Sequence, residues 1–197
     1  MLDFLYNLDL QVFYFINHTI SNPIFNKFFP FITDINHWYL VYVVLWLIMF
    51  TYGGRKGKIA AIMVLFVIIC SDQLSSHYIK DFFHRVRPCN ALPDVWLRIS
   101  ATDSYSFPSS HAVNNFALAF FIYKIFPKYK YVAFTTAFLL ALSRPYVGVH
   151  YPSDILGGAI IGSLIGYIFG LLTNLTDNWF EKRNSEKSNN FERIKKI

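Results

Sequence analysis

The sequence predicts an all-α fold: a polytopic membrane helical bundle of about six helices, five clear spans preceded by an N-terminal helical segment. Three observations predict it. The 197-residue chain is 54% hydrophobic and only 15% charged, against roughly 25% charged in a soluble domain. Its apolar residues run in long blocks rather than amphipathic stripes, and five such helices in so short a chain exceed what protein alone can bury. The basic residues cluster between alternate blocks, as topology signals do.

Residues 1–20 carry Asp3 where a cleaved signal would be basic, and Asn7, Asp9 and Asn17 interrupt the apolar run. A helix lying in the interface and a partly embedded sixth helix both fit residues 1–33. The spans are read at 38–52, 59–70, 116–126, 131–142 and 155–172, several extended by semi-polar flanks toward the ~20 residues a crossing needs. An integral membrane domain over 1–180 is followed by a polar, mixed-charge cytoplasmic tail over 181–197, expected to fray. Cys70 falls in a span and Cys89 in a loop, so no disulfide framework is expected. Trp38, Trp96 and Trp179 read as interface anchors. The glycosylation-like triplets at Asn17 and Asn174 are discounted.

Alternating the spans places the loop 53–58, the turn around Pro127 and the tail on one side, with 12 of the 18 Lys and Arg residues. The positive-inside rule makes that side cytoplasmic. The net charge of +6 is thus a topology signal, and no nucleic-acid partner is read from it. Lys27, Lys80, Arg85, Arg87, Arg98 and Arg144 fall on the other side, where sorting disfavours cations. They need a separate reason.

Three stretches supply one. In KDFFHRVRP (80–88), Lys80 and Arg87 would share a face of a continued helix with His84 between them, and Pro88 would end it. Alone, this reads equally as a snorkelling collar. In FPSSHAVNNFALAFF (107–121), Pro108, Ser109 and Ser110 mark a helix start, whose free N–H groups cradle anions, with His111 in the first turn. In SRPYVGVHYPSDILGG (143–158), Asp154 opens the last helix and is placed to accept a hydrogen bond from His150, leaving the other ring nitrogen free to attack. Gly158, Gly162, Gly166 and Gly170 then recur every four residues, a close-packing ridge. Together, Lys80, Arg87 and Arg144 with backbone donors match a doubly charged tetrahedral oxyanion, and two histidines describe phosphoryl transfer through a covalent intermediate. The nearby acids do not cluster, so no metal cage and no cofactor are expected.

Lys80 with six residues before Arg87-Pro88, then Pro108-Ser109-Ser110-His111, then Ser143-Arg144 with five residues before His150 and three before Asp154, resemble the three-part signature of the type-2 phosphatidic acid phosphatase superfamily. The resemblance implies a bundle of about six helices with its site near the external interface. It also implies phosphate binding by Lys80, Arg87 and Arg144 with Ser109 and the backbone of Ser110, attack by His150, orientation by Asp154 and leaving-group protonation by His111. One departure stands out: Ser110 occupies a position where the family usually has glycine. The implied function is a membrane phosphatase acting on lipid A 1-phosphate, undecaprenyl pyrophosphate, phosphatidylglycerol phosphate or phosphatidic acid, at the outer face of a bacterial cytoplasmic membrane. Its partners are the lipid substrate and the bilayer, and the sequence assigns no oligomeric state. An anion or lipid transporter using the same cations is the alternative, but it predicts a central pathway and broken helices near the midplane, whereas the charged residues here collect at one interface. A phosphate-binding protein without chemistry is disfavoured by the intact His111, His150 and Asp154, and a vanadate-dependent oxidase by the family's oxidases being soluble. Asp72 and His77 are expected to face the bundle in a supporting role, and Arg98 is a candidate lipid head-group contact.

Overall fold

The computed structural model describes residues 2–195 and contains no strand among them. Lys196, counted with the basic tail, lies outside these residues. α1 (Leu2–Tyr14) runs into a π turn at Phe15–Thr19. It is apolar outward, with Phe4, Leu5 and Leu8 exposed, and polar inward, with Asp9 and Asn17 buried on either side of Phe13. α2 (Phe25–Thr33), with Pro30 inside it, packs on the later helix Lys130–Tyr146. Residues 2–33 are therefore two short helices laid against the bundle, joined by a turn that Asn22 caps through Ile24 and Phe25 N–H.

α3 (Tyr39–Tyr52) and α4 (Gly54–Gln73) form a hairpin. A π turn at Leu74–Ile79 leads into the short helices α5 (Lys80–Phe83) and α6 (Pro88–Ala91). After a long loop come α7 (Ser110–Ile125), α8 (Lys130–Tyr146) and α9 (Pro152–Ile194). The stretches Gly54–Ala91 and Pro152–Asn189 are long and apolar enough to cross a bilayer, yet only 33% and 28% of their apolar windows is buried within the protein. Ile62, Phe66 and Ile69 on α4 and Leu156, Ile160 and Leu164 on α9 point outward. Water would penalise such a surface, whereas acyl chains accept it. This is a membrane protein. α3, α7 and α8 have 14, 16 and 17 residues, so at ~1.5 Å per residue each is shorter than a hydrocarbon core of about 30 Å. The five spans expected are thus two long apolar stretches, one shorter apolar helix (α3), and the short helices α7 and α8.

α7 and α9 are the central pair, and glycine sets their spacing. A Cβ on Gly162 would collide with the carbonyl of Val113, and one on Gly166 with that of Ala117. Gly158 faces Ser109 and Ala112, and Gly170 faces Lys124. Successive glycines on α9 therefore meet successive turns of α7 in the same direction, so the two helices are parallel and their N-termini lie together. Val67, Val113, Ala117, Phe121 and Ile165 fill the core around this seam.

At the far end Arg55 pairs with Asp177 at 2.7 Å and with Glu181 at 3.5 Å, and Asn174 Nδ2 donates to Lys124 O at 3.2 Å. The three basic groups thus gather at the end opposite the N-termini of α7 and α9. α9 continues as one helix to Ile194, where a frayed tail was expected: no Gly or Pro follows Gly170 to break it.

Replacing Gly162 or Gly166 by Val forces the α7–α9 seam apart. Each variant is expected to lose about 1–3 kcal/mol of stability, read as a lowered melting temperature in detergent. Gly54→Ala, which meets nothing within 4 Å but sits at φ +62°, should lose less.

Candidate active site

The first motif starts on α4. Its buried positions Val67, Ser71 and Ser75 are spaced by four, but the next, Lys80, comes five later. The π turn absorbs the extra residue and swings Lys80 inward, a widening that recurs at functional positions. α5 then stops at His84, whose φ of 49° is left-handed. The chain runs extended to Arg87, and Pro88 opens α6. Lys80 and Arg87 therefore do not share a helical face as expected, and Pro88 starts a helix instead of ending one. His84 is diverted outward against Tyr105, with ring centroids 4.5 Å apart.

Arg87 is buried and uses four of its five N–H donors. Its Nε and Nη2 donate to Ser104 O and Oγ at 2.6 and 2.9 Å, and Nη1 donates to Val149 O at 3.0 Å. Nη1 also lies 2.9 Å from His150 Nε2. A guanidinium has only donors, so Nε2 carries the lone pair and the ring proton sits on Nδ1. Nδ1 faces Asp154 Oδ2 and Ser106 Oγ, each at 3.4 Å, longer than a tight hydrogen bond.

The loop that presents His150 is pinned on both sides. Val149 N–H returns to Arg144 O at 3.1 Å and Gly148 N–H to Pro145 O at 3.1 Å. Gly148 has φ +91°, and a Cβ there would meet Val95 Cγ1 at 2.7 Å, so both its conformation and its space require glycine. On the far side Asp154 Oδ2 accepts Tyr151 N–H at 2.8 Å, half of a capping box at the start of α9. Burial holds the His150 imidazolium far below its ordinary range, to about 3, with Arg87 adding to the effect and Asp154 opposing it. The ring is neutral at pH 7.

Ser109 stands at the N-cap of α7 but makes no capping bond, and its buried Oγ has no partner among the described residues. Ser110 Oγ is held by Ser76 Oγ at 3.0 Å, and Ser76 in turn donates to Asp72 Oδ1 at 3.3 Å. The serine that replaces the expected glycine is therefore tied to α4's side. His111 Nε2 donates to Thr33 O at 3.2 Å, and Thr33 Oγ1 accepts from Arg144 Nη1 at 2.7 Å. Arg144 Nε is buried without a partner among the described residues. Lys80 interacts electrostatically with Arg87 and Arg144, His111 with all three cations, and His150 with Arg87, Arg144 and Asp154. Lys80, Arg87, Ser109, Ser110, His111, Arg144, His150 and Asp154 thus gather at one end of the bundle.

Compared with known proteins, the chain matches the PAP2 superfamily over residues 60–177. The chain belongs to the PAP2 superfamily. Lipid A 4'-phosphatase of Bacteroides thetaiotaomicron is 29% identical over 177 residues, spanning 86% of this chain and 78% of that protein. Among solved structures, Aquifex aeolicus LpxE aligns with a TM-score of 0.62 at 27% identity, over 84% of this chain and 94% of the other. A PAP2 type phosphatidylglycerolphosphate phosphatase from Bacillus subtilis aligns with a TM-score of 0.65 at 26% identity, over 88% and 86%. This PAP2 chain is a membrane phosphatase.

Several site residues of this PAP2 protein carry no sequence signal. Ser106 donates to Asp154 Oδ2, Ser104 holds Arg87, and Thr33 of α2 positions both Arg144 and His111. Arg85 bridges Asp154 and Asp9. Other expectations are corrected. Arg98 spends its five donors on Asn26, Trp96 O, Tyr146 O, Asn17 O and Ser21, and it lies over the Tyr146 ring at 4.5 Å. With no donor left, it clamps the N-terminal segment to the bundle and does not serve as a head-group ligand. Asp72 does face inward, but His77 is exposed, beside Gln73 and Asp81, because the π turn rotates it off the buried face. Ser106→Ala removes a hydrogen bond to a buried carboxylate, an interaction of about 1.5–3 kcal/mol. Phosphatase kcat is expected to fall about 10- to 100-fold, and the melting temperature to drop by several degrees, at ~2–4 °C per kcal/mol.

Proposed function

We propose that this protein hydrolyses the phosphate of a membrane lipid through a phosphohistidine on His150, at the external face of a bacterial cytoplasmic membrane. One observation carries the reading: a neutral, buried imidazole offers its Nε2 lone pair to a nest of cations whose donors are not all used. Arg87 contacts that nitrogen at 2.9 Å, and Arg144 Nε and Ser109 Oγ lack partners among the described residues. A tetrahedral phosphate would complete them, and Lys80 would add a third positive charge.

In this mechanism the Arg87 hydrogen bond passes from Nε2 to the phosphate, and the freed Nε2 lone pair attacks phosphorus as the bond to the lipid oxygen breaks. The ring becomes cationic, and Asp154 beside Nδ1 offsets that charge. His111 keeps its Nε2 proton on Thr33 O; once the bound phosphate dianion offsets Lys80, Arg87 and Arg144, the ring takes up a second proton on Nδ1 and gives it to the leaving oxygen. The neutral ring then takes a proton from water, which attacks phosphorus, breaks the N–P bond and releases inorganic phosphate. Ser110 contributes its backbone N–H at the start of α7, with its hydroxyl held aside by Ser76. The gathering of basic residues at the opposite end supports an external site by the positive-inside rule. A membrane domain over 1–180 with a cytoplasmic tail over 181–197 follows from the same orientation. Similarity to lipid A 4'-phosphatase along most of the chain makes a lipid A phosphate the first substrate to test.

His150→Ala and Asp154→Asn should remain folded and membrane-inserted while phosphate release falls by several orders of magnitude. The assay is phosphate release by purified protein from lipid A phosphates, undecaprenyl pyrophosphate, phosphatidylglycerol phosphate and phosphatidic acid, each with and without EDTA. Activity is expected to survive the chelator. Release by His150→Ala at the parent rate would remove the proposed nucleophile.

A further inference from the structure

We propose that Asp9 and Arg85 are positioning residues for hydrolysis, a pair of ion pairs through which the N-terminal helix aims the carboxylate that orients His150. The inference rests on the function proposed above. Arg85 lies inside the first motif but reaches neither histidine. Its Nη1 donates to Asp154 Oδ1 at 2.6 Å and to Ser153 Oγ at 2.6 Å, and its Nη2 to Asp9 Oδ2 at 2.7 Å. Its guanidinium lies over the Tyr151 ring, 4.1 Å from the centroid. Asp9 in turn accepts Ser153 N–H at 2.9 Å and the Ser153 hydroxyl, gripping the first turn of α9.

The two oxygens of Asp154 are thereby divided. Oδ2 serves the His150 side, with Tyr151 N–H and Ser106, and Oδ1 is taken by Arg85. A carboxylate free to rotate about its χ2 would lose the alignment with Nδ1 that keeps the lone pair on Nε2. Arg85 stops that rotation. Asp154 is fully buried and Asp9 is 8% exposed, so one guanidinium bonded to both carboxylates also offsets one of two negative charges that burial makes costly. The partner comes from far away in sequence: Asp9 sits on α1, outside the residues 60–177 that match the superfamily. Removing it should leave Arg85 held only at the Asp154 and Ser153 end.

The test measures kcat and KM separately for Asp9→Asn, Arg85→Gln, Arg85→Lys and the double variant Asp9→Asn/Arg85→Gln, with parent and His150→Ala in the same assay. Melting temperature and monodispersity in detergent are read for each. The proposal expects kcat to fall about tenfold in Asp9→Asn and about 100-fold in Arg85→Gln. KM should stay within about twofold, since neither side chain touches phosphate. Arg85→Lys, which keeps the charge, should lie between Gln and parent, and Asp9→Asn should add little once Arg85 is gone. Parent-like kcat in Arg85→Gln while His150→Ala is dead overturns this inference alone. So does a KM rise that accounts for the loss, which would make Arg85 a substrate ligand. Should Asp9→Asn fail to fold, the comparison of Arg85→Lys with Arg85→Gln decides. An active His150→Ala would instead strike the underlying mechanism.

Discussion

The distance between α7 and α9 governs the site. Side chains are absent from the α9 face at Gly158, Gly162 and Gly166, so it rests on the backbone of α7, and no Cβ fits between them. Because the two helices are parallel, that contact also aligns their N-termini. Ser109 N–H donates to Asp154 O at 3.2 Å across the top of the seam. Motif two, on one helix, and motif three, on the other, meet only because the glycine series sets this register. In a bilayer, where lipid tails are as apolar as the helices, such close packing is a main source of association.

Around that junction the protein buries more positive charge than it neutralises. Lys80, Arg87 and Arg144 are all buried. Arg85 is matched by Asp9 and Asp154, whereas Arg87 and Arg144 bond to neutral oxygens of Ser104, Val149 and Thr33. Uncompensated buried cations are costly, and a bound dianion would relieve that cost. The arrangement therefore suits an anion, with neutral His150 beside it. The proposed mechanism needs that combination: cations that attract phosphate beside a histidine that keeps a lone pair.

Much of this was legible in the sequence, for a physical reason. Motif residues sit at helix ends, where capping chemistry leaves readable traces: Pro108 and Ser109 before α7, Pro152 and Asp154 opening α9. Glycine at every fourth position announced the seam. What stayed hidden depends on tertiary contacts or on backbone irregularity. Thr33 reaches Arg144 across 111 positions and Asp9 reaches Ser153 across 144, so no local pattern signals either. The π turn at Leu74–Ile79 shifts register by one residue, which turns Lys80 inward and His77 outward against helical expectation. The left-handed His84 breaks the helix that would have joined Lys80 to Arg87. Arg98 was misread because its five partners are scattered over three segments of the chain.

The central claim is that side chains from three separate motifs grip one oxyanion in front of His150. A structure of the detergent-solubilised protein with orthovanadate, a mimic of the phosphoryl-transfer geometry, tests it most directly. The account predicts vanadium within bonding distance of His150 Nε2, its oxygens met by Lys80, Arg87, Arg144 and the N-terminus of α7, and His111 on the side opposite the new bond. Vanadate seated away from His150, or held without Arg87 and Arg144, would contradict it.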